Sequence, residues 1–77
     1  MHEAGLTLEV LDIACETAAG RRVSRVVLEI GRLSGILPDA VRFCFSMASE
    51  GTLVEGAELV VVETPGADFK LASLELA

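Results

Sequence analysis

From residue 4 to residue 19 the apolar side chains return with a helical period. Leu6, Val10, Ile13 and Thr17 fall on one stripe, with Leu11, Ala14 and Ala18 flanking it, while Glu9, Asp12 and Glu16 fall on the opposite side. Gly20 followed by Arg21-Arg22 is a natural stop. The period then changes to two. Residues 23–31 alternate through Val26, Leu28 and Ile30 and are rich in β-branched side chains, which predicts a strand. A connection through Ser34-Gly35 leads to Pro38, which suits the first turn of a helix because its missing N–H is not needed there. Leu37 has no side-chain acceptor with which to cap that helix. Residues 38–50 place Val41, Cys44, Phe45 and Ala48 on one side, with Ala40 and Met47 beside them, and Gly51 closes the segment. Residues 57–64 predict a second strand and residues 69–76 a third, separated by the turn-forming Pro65-Gly66-Ala67-Asp68.

The order α-β-α-β-β predicts an α+β fold, an α/β sandwich in which a small mixed three-stranded sheet carries both helices on one face. The β-α-β crossover should be right-handed if its strands are parallel neighbours, and the last two strands should pair as a hairpin. No repeat or linker divides the chain, so residues 1–77 form one domain.

Two strands break simple alternation. In the last one, Phe69 and Leu71 share one parity and Leu74 and Leu76 the other, which calls for a β-bulge at Ala72-Ser73 to keep one face apolar. In the second, Leu59 and Val61 can face the helices only if Val60 and Val62 face away. Val27, Val60, Val62 and Ala72 would then form an uncovered apolar patch, the kind of surface that marks an interface, here one through which two copies could meet.

Composition narrows the function classes. The chain has 77 residues, 12 acidic against 6 basic, and a net charge of −6. That balance argues against a nucleic-acid or anionic-membrane binder, both of which need positive surfaces. No apolar run is long enough to cross a membrane, and Met1-His2-Glu3 is not the basic start of a secretory leader, so the expected location is cytoplasmic. With 52% hydrophobic residues but no Trp or Tyr, the core must be aliphatic. A domain this small usually needs a staple. Cys15 and Cys44 do not offer an obvious one: they are far apart in sequence, do not form CxxC, and read as buried core thiols.

The candidate chemistry lies at the N-terminus. Met1, His2 and Glu3 bring an α-amine, the only imidazole and a carboxylate within three residues. The amine, the backbone nitrogens of residues 2 and 3, and the His2 imidazole can surround one metal ion with four nitrogens. Ni(II) and Cu(II) accept such square-planar sites, whereas Zn(II) prefers a tetrahedron. No catalytic His pairing is available elsewhere, and Gly31-Arg32-Leu33-Ser34-Gly35 lacks the spacing and Lys of a phosphate loop, so the chain does not read as an enzyme. The acidic stripe Glu9, Asp12 and Glu16 reads first as a solvated face and alternatively as a dock for a basic partner.

Taken together, these residues resemble the HypA family of nickel metallochaperones. The resemblance rests on Met1-His2-Glu3 followed at once by the acidic-faced helix, on 25–31 (Arg-Val-Val-Leu-Glu-Ile-Gly) with Leu33-Ser34-Gly35, on 38–45 (Pro-Asp-Ala-Val-Arg-Phe-Cys-Phe), on 55–59 (Glu-Gly-Ala-Glu-Leu), and on the closing 71–76 (Leu-Ala-Ser-Leu-Glu-Leu). It implies that Met1, His2 and Glu3 form a Ni(II) site serving [NiFe]-hydrogenase or urease maturation. It also implies a HypB-like GTPase and the hydrogenase large subunit as partners. Two departures stand out. The family inserts a zinc domain with two CxxC motifs between the second and third strands, where this chain has only residues 65–68, so zinc is not expected. Arg32 stands where an acidic residue would be expected. The rival reading is a metal-independent interaction module that uses the acidic helix face or the outer valines, with self-association through Val60 and Val62.

Overall fold

The computed structural model describes residues 3–77, and side chains from residue 4 onward. Its elements are α1 (Glu3–Ala18), β1 (Val23–Gly31), α2 (Pro38–Ala48), β2 (Glu58–Thr64) and β3 (Phe69–Leu76). The α+β class, the element order and the mixed three-stranded sheet agree with the expectation.

The pairing of the last two strands does not. The sheet order is β2-β1-β3, with β1 parallel to β2 and antiparallel to β3, so β2 and β3 are not neighbours and form no hairpin. The central place goes to β1, whose Val26, Leu28 and Ile30 are fully or almost fully buried. Residues 65–68 therefore cross the end of β1 to join the two edges. Two strand spacings amount to about 10 Å, and four residues reach about 13 Å, so the short connection suffices. It is pinned in passing: the Gly31 N–H donates to the Asp68 carbonyl (2.6 Å), Leu33 N–H to Gly66 (2.9 Å) and Arg32 N–H to Thr64 (2.8 Å).

The bulge is where the residue parity requires it. Val27 faces Ser73 but Leu28 faces Leu71, leaving Ala72 as the extra residue. That slip turns Phe69, Leu71 and Leu74 all towards the core. A second shift, at the start of β1, leaves Ser24 between the Val23–Leu76 and Arg25–Glu75 pairs.

The core stripe of α1 is rotated from the expected one. Thr7, Val10, Leu11, Ala14 and Ala18 are buried, whereas Ile13 is 50% exposed and Thr17 is also exposed. Small side chains at Thr7, Ala14 and Ala18 let the helix approach closely, which outweighs the larger apolar surface of Ile13. On α2, Val41 and Phe45 are buried, so the core is not purely aliphatic as expected; Leu37 stands at the N-cap and makes no side-chain capping bond, and Pro38 begins the first turn. The helix ends two residues before the expected 50, followed by a turn in which Gly51 takes a left-handed φ of 78°. The segment before β2 supplies a core residue that periodicity did not single out, the fully buried Val54, while its neighbour Leu53 accepts the Val23 N–H (2.9 Å). Cys15 and Cys44 are free and half-buried rather than fully buried.

On the sheet face away from the core, Val27 and Val60 are half-buried and Val62 and Ala72 exposed. Charged rows bracket them. Arg25 reaches both edges at once, to Glu58 (3.1 Å) and Glu75 (3.2 Å), and Lys70 lies 3.6 Å from Glu29.

Candidate metal centre

Met1 and His2, and the side chain of Glu3, lie outside the described residues, so the geometry of the N-terminal ligand set is approached from the helix that carries it. That helix starts at Glu3. The first four N–H groups of any helix have no carbonyl one turn back to receive them. The Glu3 amide therefore belongs to the set that α1 does not consume, and its deprotonation would break no hydrogen bond within the helix. Four residues on, Thr7 is 1% exposed and anchors the first turn in the core.

Among the described residues no three His, Cys, Asp or Glu side chains gather closely enough to hold a metal ion. Glu9, Asp12 and Glu16 are all exposed along α1. Their i, i+3, i+7 spacing makes a negative strip running away from the N-terminus, with no basic residue in the last turn. Such a strip raises the local concentration of cations without binding any one of them. No described helix is long and apolar enough to cross a membrane.

Two grooves flank the start of α1. On one side Leu6, Ile13 and Thr17 face Ile36, Phe69 and Leu71 across the gap to β3. On the other, Ala4 and Leu8 face Phe43, Cys44, Met47 and Ala48 of α2 across an open cleft of about 460 Å³. In that cleft Leu8 is 53%, Phe43 67% and Met47 59% exposed. Periodicity assigns Cys44 and Ala48 to the core side of α2 with Met47 beside them, but Cys44 and Ala48 are only half-buried and Met47 is exposed. The available signal was that Leu8 and Phe43 are large apolar residues off their helices' core stripes. A third cavity, lined by Arg42, Phe45, Ser49, Glu50 and Leu59 among others, lies on the other flank of α2.

Residues 1–69 match the family model described as hydrogenase/urease nickel incorporation, metallochaperone, HypA. The chain is 53% identical over 66 residues to the hydrogenase maturation factor HypA of Nostoc punctiforme, covering 86% of this chain and 58% of that protein. It is 52% identical over 66 residues to the same factor of Geobacter sulfurreducens, covering 86% and 60%. The chain thus spans about three fifths of the length of the curated relatives it matches. Its fold is that of the Ni metallochaperone HypA from Helicobacter pylori in solution, with a TM-score of 0.87 at 21% identity, covering 99% of this chain and 97% of that one.

Proposed function

Because the chain belongs to the HypA family of hydrogenase/urease nickel-incorporation metallochaperones, we propose that it captures Ni(II) at Met1, His2 and Glu3 and delivers it for [NiFe]-hydrogenase maturation. The observation that carries the reading is the Met-His-Glu start joined without a linker to α1, which begins at Glu3. The α-amine, the His2 and Glu3 backbone nitrogens and the His2 imidazole supply a nitrogen set suited to square-planar Ni(II). The Glu3 amide it would deprotonate lies in the first turn of α1, where an N–H has no intrahelical acceptor. The role is that of a carrier in the cytoplasm, not of an enzyme. A HypB-like GTPase and the hydrogenase large subunit are the partners that the family reading brings, and two copies are proposed to pair through Val60 and Val62. No zinc is part of the proposal, since β2 and β3 are joined by residues 65–68, which contain no cysteine.

Calorimetric titration of the protein with its native amino terminus tests the reading. Tight 1:1 Ni(II) binding is expected, and it should vanish when one residue precedes Met1 or when His2→Ala is introduced. Binding that survives both changes would mean that the metal sits elsewhere.

A further inference from the structure

The cleft between α1 and α2 has the form of a helix-binding groove. It is lined by the small side chains of Ala4 and Ala48 and by Leu8, Phe43 and Met47, the last three all more than half exposed. Three large apolar side chains converging on one open groove are more than the scattered single exposures normal for a surface. Met47, unbranched and polarizable, adapts its shape to whatever fills the space.

The charge around the groove identifies the occupant. Helix α1 carries four acidic residues, Glu3, Glu9, Asp12 and Glu16, and no basic one. Asp12 lies one turn beyond Leu8, and Asp39 one turn before Phe43, so an exposed carboxylate stands beside an apolar wall on each helix. Most basic side chains are placed elsewhere: Arg25, Arg32 and Lys70 pair with glutamates at the sheet, and Arg21 and Arg22 bond backbone carbonyls of Ala77 and Glu55. Arg42 lines the cavity on the other flank of α2 and comes only to 4.0 Å from Asp39, whose side chain stays fully exposed. A second copy set groove to groove would bring the same carboxylates against one another. An anionic membrane would be repelled as well.

We propose that the α1–α2 groove docks a basic amphipathic helix of a partner protein. Apolar side chains of that helix, spaced i, i+3/i+4 and i+7, would fill the space between Leu8, Phe43 and Met47, and its flanking Lys or Arg would meet Asp12 and Asp39. Docking itself requires no metal. Its location deepens the nickel reading and rests on it in one respect only: Ala4, in the groove, directly follows Glu3, so a docked partner would stand beside the proposed Ni(II) ligands and receive the ion at close range.

The probe is a fluorescein-labelled amphipathic peptide of about 18 residues, with Leu on one face and Lys on its flanks, titrated into metal-free protein and followed by anisotropy and by amide shifts of the labelled protein. Micromolar binding is expected, with shifts centred on residues 4–8 and 43–48. Leu8→Ser and Phe43→Ser should each weaken it about tenfold. The pair Asp12→Lys with Asp39→Lys, at exposed positions that leave the core untouched, should weaken it about tenfold at low salt and less at high salt. A matching peptide with Glu in place of Lys should not bind. Equal binding of the Glu peptide, shifts centred on the outer sheet face or the β3 groove, no binding at all, or self-association abolished by Leu8→Ser would each overturn the proposal. Because nickel is absent throughout, these outcomes do not depend on the N-terminal chelate.

Discussion

Gly31 and Gly66 meet where the β2–β3 connection passes over the end of the central strand. A Cβ placed on Gly31 would fall inside the contact radius of the Gly66 carbonyl oxygen and within 2.7 Å of the Asp68 nitrogen. Both obstacles are backbone, so no rotamer change relieves them. Gly31→Ala must push the crossing segment away and loosen the bonds that Gly31 and Leu33 make to Asp68 and Gly66. A loss of about 3 kcal/mol in urea unfolding is expected. Gly20 has open space where its Cβ would be, but its φ of 88° makes it a poor control. Gly5→Ala, with nothing within 4 Å of the added carbon and an ordinary φ, is the proper one and should cause no loss.

Thr7 and Thr17 occupy the same helix with different fates. The Thr17 hydroxyl donates to the Ile13 carbonyl at 2.7 Å, whereas the Thr7 hydroxyl oxygen is buried without a hydrogen-bond partner. A buried hydroxyl without a partner is a standing cost, and an apolar group of the same shape removes it. Thr7→Val should therefore stabilise the fold by about 1 kcal/mol. Thr7→Ser keeps the hydroxyl and deletes a methyl group, so it should destabilise by about 1 kcal/mol. Thermal unfolding of the two variants under one set of conditions checks the opposite signs; a loss of stability in Thr7→Val would show that the hydroxyl is satisfied.

Much of this architecture can be read from side-chain periodicity, because each element has a single dominant period. The reversal of parity between Leu71 and Leu74 even locates the bulge, since burying both on one face demands one extra residue. Strand order is a different kind of information. It depends on whether 65–68 turns back in the plane of the sheet or crosses β1, and that depends on a contact between residues 31 and 66 that no local pattern expresses. The phase of α1 is not expressed by periodicity for a related reason: hydrophobicity favours Ile13, but close packing favours Thr7, Ala14 and Ala18. The proposed Ni(II) ligands Met1, His2 and Glu3 are legible only as a sequence motif, which hydrophobic periodicity does not express. The α1–α2 groove emerges only when the two helices are brought side by side.

The proposed pairing of two copies through the outer sheet face has its own test. Val62, exposed by 44%, projects beside the half-buried Val60 and Val27. The flanking rows, Glu58–Arg25–Glu75 and Glu29–Lys70, contain both signs of charge, so opposed copies need not meet like with like. Light scattering at increasing concentration should approach twice the monomer mass, and Val60→Glu with Val62→Glu should return it to the monomer. Leu8→Ser, on the helical layer, should leave the mass unaltered. A mass indifferent to the valine substitutions would remove this face from consideration.

The proposed chelate has a proton signature that separates it from any site made of side chains alone. Ligation by the His2 and Glu3 backbone nitrogens expels two amide protons outright. At neutral pH an ordinary α-amine is mostly protonated and an ordinary imidazole mostly neutral, so the amine gives up most of a third proton and the imidazole a fraction more. About three protons should leave for each Ni(II) bound near pH 7. By linkage, the apparent affinity should then fall about a thousandfold for each unit the pH is lowered in that range. A site using only the amine, the imidazole and the Glu3 carboxylate would release about one proton and show a far shallower dependence. Titrations in buffers of different protonation enthalpy count the protons directly. A count near one, even with tight nickel binding, would exclude the backbone nitrogens as ligands and would require a different geometry at Met1, His2 and Glu3.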